Sequence, residues 1–129
     1  MRKITTLLVS LMLSMVAFAA EPYVVYCSLS GASYSQIDYG QQSLVGNTLV
    51  DEDGSSIYFR SFIGAMNYMS ERGWHYVGDI KNFSQNTWDK SEIKVTTTLV
   101  FSKDITSEEQ ITEGICTRKM WQERGSVEL

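Results

Sequence analysis

The sequence predicts an α+β fold, a four-stranded antiparallel sheet in ββαββ order with one helix packed on a face and a short C-terminal helix. Three observations carry it. Four stretches alternate apolar and polar residues with a period of two: "PYVVYCSLSG", "YSQIDYGQ", "WHYVGDI" and "IKVTTTLVF". One stretch, "SSIYFRSFIGAMNYMSERG", switches to helical spacing. The helix lies between the two strand pairs, and both element types have a single apolar side. One sheet with the helix laid across it is the economical arrangement.

The chain begins with a leader. Arg2 and Lys3 form a positive start, and Leu7 to Val16 is apolar apart from Ser10 and Ser14. Ala17-Phe18-Ala19 supplies small residues at −3 and −1 of a cleavage site, which predicts a cut after Ala19. Cleavage after Ala20 would put bulky Phe18 at −3. The apolar run is too short for a membrane span, so 1–19 is expected to be a signal peptide and 20–129 a single domain. The expected location is outside the cytoplasm, in the periplasm, at the cell surface or secreted, with no membrane insertion after cleavage. Its 110 residues can bury their own core. Removing Arg2 and Lys3 lowers the 11 basic residues to nine against 15 acidic ones, a net charge of −6. Nucleic acid and anionic membranes demand a positive footprint, so neither is an expected partner.

In the first strand Val25, Cys27 and Leu29 share one side, and Val24, Tyr26 and Ser28 the other. Gly31 ends it. The second strand, with Ile37 and Tyr39 alternating against polar residues, is expected to be its antiparallel partner. Gly46-Asn47, between two apolar pairs, suits a two-residue hairpin turn. Asp51-Glu52-Asp53-Gly54 is a turn cluster. On the helix, Phe59, Phe62, Ile63, Met66 and Met69 make one face, and Ser55 or Ser56 is placed to cap the N-terminus.

Gly73 falls where the chain must leave the helix through a left-handed residue. Trp74 then anchors the third strand, with Trp74 and Tyr76 facing Phe59, Phe62 and Met66 and His75 facing away. "KNFSQNTWDKSE" reads as a polar connection. In the fourth strand Ile93, Val95, Thr97, Leu99 and Phe101 share a side. Thr106 and Glu109 match a capping box for a short helix in "TSEEQITEGI", and the tail from Thr117 is expected to be loosely held.

The chain resembles a family of small exported proteins of unknown function from anaerobic gut bacteria. The residues that carry the resemblance are "YVVYCSLSG", "IDYGQ", "LVDEDGSSIYFRSFIGAMNYMSERGW" and "LVFSK", which together cover most of residues 23 to 103. More distantly, a helix ending in Gly-Trp before a strand resembles a widespread small domain of unknown function. Both usually carry glutamate after the tryptophan, where this chain has His75. The resemblance implies the fold and export, and no activity, substrate or catalytic residue.

Few residues suggest chemistry. His75 is the sole histidine, so a multi-histidine metal site is excluded, and no G-x-S-x-G elbow is present. A calcium loop starting at Asp51 would need glycine at position 6 and glutamate at 12, where Ser56 and Phe62 stand. Met66 and Met69 belong to the helix face and are not metal ligands. Tyr68, Trp74, Tyr76, Trp88 and Trp121 could stack on sugar rings, and Trp88, in a polar segment, is the best placed for ligand contact. A disulfide between Cys27 and Cys116 is chemically permitted in an exported protein, the other reading being a buried free Cys27 thiol and an unrelated Cys116.

The expected function is a non-enzymatic interaction or binding module without a cofactor, engaging an unknown protein partner or a second copy of itself through a sheet edge. The rival is a small periplasmic hydrolase, or a glycan- or ligand-binding protein using His75 or Trp88. A cleft bringing His75 to a serine and a carboxylate would favour the rival. A flat surface with a free apolar edge would favour the module.

Overall fold

The computed structural model describes residues 20–85, 88 and 92–127. The segment 1–19, expected to be a signal peptide, lies outside the described residues. No helix among those described is long and apolar enough to cross a membrane. The elements are β1 (Tyr23–Ser30), β2 (Gln36–Asp38), α1 (Phe62–Glu71), β3 (His75–Gln85), β4 (Ile93–Ile105), a 3-10 turn (Glu108–Thr112) and α2 (Arg118–Val127).

The four strands form one antiparallel sheet in the order β2-β1-β4-β3. Residues directly opposite each other share a face, so the register fixes both surfaces. Ile37, Leu29 and Leu99 line up across three strands, and Cys27 and Phe101 form the next row. This is the core face. Ala65 and Met69 of α1, Trp74, Leu49 and Ile115 close over it.

The α+β architecture, the four-stranded antiparallel sheet and the pairing of β1 with β2 are as the sequence predicts. Several boundaries differ. The helix starts at Phe62, after an extended Ser61 that makes no side-chain cap. Ser55 and Ser56 therefore do not cap it, and Ser56 instead accepts a hydrogen bond from the Arg118 guanidinium. The buried stripe of α1 is Ala65 and Met69, with Phe59, Met66 and Tyr68 packed against the core. Phe62 does not join it and is 49% exposed. The Gly46 turn closes no hairpin of its own, since Thr48 bridges back to Gln36. The predicted short helix in "TSEEQITEGI" is the 3-10 turn, capped by Ser107 and Gln110, one residue on from the expected pair.

The region from Thr117, expected to be loose, is tied down. Thr117 is buried and bridges Leu49, the Arg118 N–H donates to the Thr48 carbonyl, and α2 follows.

The corner between α1 and β3 is as the sequence requires. Gly73 has φ +88°, and the Trp74 N–H donates back to the Met69 carbonyl at 3.0 Å. Trp74 is 1% exposed. The Lys103 ammonium lies 5.7 Å from its ring centroid and donates to the Gln110 carbonyl.

Two glycines differ in what surrounds them. A methyl at Gly73 would come 3.3 Å from the flexible Lys103 chain, whereas one at Gly54 (φ +81°) would fall 2.5 Å from the Trp121 indole. Both substitutions strain a left-handed backbone. Gly73→Ala should therefore destabilise by about 1 kcal/mol or more, and Gly54→Ala should cost more, because it also displaces Trp121. Urea unfolding of both variants checks the order. Trp74→Ala should be worse again, at about 3–5 kcal/mol from lost burial and the cavity left behind. Thermal unfolding with unchanged midpoint would contradict that packing role.

Candidate functional site

The longest exposed feature is the outer edge of β3. This strand has 11 residues and pairs on one side only, with β4. Among the described residues no strand pairs with its other side. The opposite edge of the sheet, β2, has three residues, and its start is bridged by Thr48. The sheet thus has one short, covered edge and one long, open edge.

The sequence segment "KNFSQ", expected to be connection, continues β3. The pairs Lys81 with Thr97, Asn82 with Thr96, Phe83 with Val95 and Gln85 with Ile93 extend the hairpin well past the core. β1 stops short of this extension, because its pairing with β4 ends at Leu29 and Leu99. Ile80–Gln85 and Ile93–Thr98 are therefore a two-stranded arm. Along it Phe83 (70%), Val95 and Ile93 on the core side and Ile80 (54%) on the other are exposed.

A bulge between Tyr76 and Gly78 shifts the register at Val77. It resets the alternation so that Asp79, Lys81 and Phe83 share the core side, while Gly78, Ile80 and Asn82 share the open side. Bulges and lysines are devices that blunt sheet edges. Here the bulge sits near the start of β3 and leaves the stretch from Gly78 onward regular. Asp79 accepts a hydrogen bond from the Tyr76 hydroxyl at 3.1 Å. Lys81 is exposed, and no ion pair engages it among the described residues.

His75 starts β3 on the open face, directly opposite Ser102. Asp104 lies two residues along β4 on the same face, so a histidine, a serine and an aspartate do share a surface. Among the described residues no hydrogen bond or ion pair joins any two of them, and the surface is the exposed side of a sheet. Trp88 is exposed at the far end of the arm. Tyr76 is partly exposed and sits edge-on to Phe101.

A cleft of about 710 Å³ lies elsewhere, lined by Asp51, Tyr68, Arg72, Cys116, Trp121 and Arg124 among others. Its size suits a small molecule. Several of its polar groups already serve the fold. The Arg72 guanidinium stacks 3.5 Å from the Tyr68 ring centroid and donates to the carbonyls of Gly114 and Tyr68. Burial pushes the Tyr68 hydroxyl above its ordinary pKa, with Arg72 opposing the shift. The Asp51 carboxylate accepts the N–H groups of Asp53 and Ser55, so the acidic cluster is a backbone-bonded turn. No group of metal-binding side chains is assembled among the described residues. The cleft is not legible in the sequence, because it depends on α2 folding back over the Asp51 turn.

No family model matches the chain, and neither a curated protein nor a solved structure does.

Cys27 and Cys116 are both free, so the bridge permitted by the sequence is not formed. Cys27 is buried beneath the sheet, and burial, reinforced by Asp38 and opposed by Lys103, pushes its pKa from 9.0 up to about 12. The thiolate is the reactive form, so a native Cys27 stays inert at pH values where an exposed thiol ionises. Cys116 is partly exposed beside the cleft. Alkylation at pH 8 should modify Cys116 alone in the native protein and both thiols once it is unfolded. Mass spectrometry of the modified chain checks this; early labelling of Cys27 would contradict the packing.

Proposed function

We propose that the protein is an exported, non-enzymatic interaction module, acting in the periplasm or at the cell surface, that binds a protein partner by adding a strand to β3. The observation that carries this reading is the open β3 edge from Gly78 to Ser84. No strand among the described residues pairs with the backbone on that side, and exposed Ile80 and Phe83 flank it. An added strand would satisfy the backbone groups, while alternating side chains supply selectivity. Lys81 narrows the choice of partner. A strand with a neutral or basic residue opposite it leaves a charge uncompensated, whereas an acidic residue there is favoured. The resemblance to small exported proteins accords with export.

The test is affinity capture from the native envelope fraction with the wild-type protein and with Ile80→Lys. A second lysine-bearing position beside Lys81 should repel an added strand without touching the core, because Ile80 is exposed. The expected outcome is loss of the captured partner with unchanged circular dichroism. Equal capture by a folded Ile80→Lys variant would refute edge binding.

A further inference from the structure

The charges on the β3 edge match those of the same edge turned around. We propose that a second copy of this chain occupies it, the two β3 strands pairing antiparallel about a two-fold axis at Ile80. This rests on the edge-binding reading above and names its partner.

The register follows from two constraints. In an antiparallel pair, residues directly opposite each other share a face, so a two-fold axis must pass through a residue that meets itself. Like charges directly opposite are unfavourable and opposite charges favourable. Centring on Asp79 sets that carboxylate against its own copy, and centring on Lys81 does the same for the ammonium. Centring on Gly78 runs into the bulge at Val77. Centring on Asn82 sets Lys81 against Phe83, and centring on Phe83 sets it against Gln85, so neither charge gains a counter-ion.

Centring on Ile80 is different. Ile80 meets Ile80, and Asp79 of each copy faces Lys81 of the other, twice over. Gly78 faces Asn82 on either side. Asp79 can accept this second contact, since the Tyr76 hydroxyl occupies one of its oxygens. At each end of the regular stretch exposed Val77 (56%) comes beside Phe83 of the second copy. The bulge then closes the pairing at both ends. Residue 80 is also the midpoint of β3, His75–Gln85, so neither strand overhangs the other. The product is a continuous eight-stranded sheet, in which β3 ceases to be an edge.

Sedimentation equilibrium of the purified protein at low ionic strength tests this. The wild type should show a concentration-dependent dimer mass that weakens as salt is raised, because the four charges are exposed. Asp79→Lys should be monomeric at the same concentration, since it sets two ammonium groups against each other at both charged pairs. Lys81→Asp should be monomeric by the converse repulsion. An equimolar mixture of the two should regain the dimer mass, since each then supplies the charge the other lacks. Regained association also shows that both variants are folded. A wild type that stays monomeric throughout, a dimeric Asp79→Lys, or a mixture that does not associate would each overturn the proposal. If the wild type is monomeric but Ile80→Lys still loses a captured envelope protein, only the second-copy inference falls. If Ile80→Lys captures as the wild type does, edge binding falls with it.

Discussion

The burial of Trp74 is the constraint on which the rest of the structure depends. Gly73 turns the chain out of α1 in the left-handed region, and the next side chain goes straight into the core. With Trp74 inward, His75 has to face outward and Tyr76 inward, so one residue sets the facing of the strand that follows. The same indole lies under Lys103, whose ammonium holds the 3-10 turn through the Gln110 carbonyl. Helix, edge strand, central strand and the C-terminal connection all meet at this ring. Its own Nε1 is buried and has no hydrogen-bond partner among the described residues. Burying that donor without a partner costs free energy, which the apolar contact of the enclosed ring has to offset.

From that fixed start β3 runs past the core. The rows that bury side chains end at Leu99, yet β4 pairs with β3 as far back as Ile93. A two-stranded ribbon in water is marginal on its own. This one has the sheet at its base and places Phe83 directly opposite Val95 on one face. The arm thus pairs regularly while contributing little burial to its own domain. Under the edge-binding proposal, contact with another chain would remove Ile80, Phe83 and Ile93 from water.

What could be read from the sequence was what a local rule governs. Strong alternation marked β1 and the end of β4, helical spacing marked α1, and glycine followed by tryptophan marked the corner. Trp74 inward and His75 outward followed from that. Phe62 falls on the helical spacing of the predicted face, yet it is 49% exposed, while the small Ala65 is fully buried in the core cluster. Size is a poor guide where a helix sits tight on strands. The arm was hidden because Lys81, Asn82, Ser84 and Gln85 give it a polar composition, although Ile80 and Phe83 alternate with them as a strand requires. α2 was hidden because it has few apolar residues. Its anchor is tertiary, through Thr117 and Arg118 reaching Leu49, Thr48 and Ser56, and a single sequence does not display such long-range pairing.

The division of labour among the charged groups separates the cleft from the edge. In the cleft, Arg72 is bound to two carbonyls and a ring, and Asp51 to two backbone N–H groups. A ligand drawing on those charges would have to break bonds that shape the α1 terminus and the 51–55 turn. At the edge the balance is reversed. Asp79 holds one hydroxyl and Lys81 holds no counter-ion among the described residues, while the backbone beside them has an open side. Neither charge is tied to the backbone of its own fold among the described residues. Two of opposite sign, one on either side of Ile80, form a pattern that an antiparallel strand with the opposite spatial charge order matches. That strand order is the one β3 itself presents when reversed.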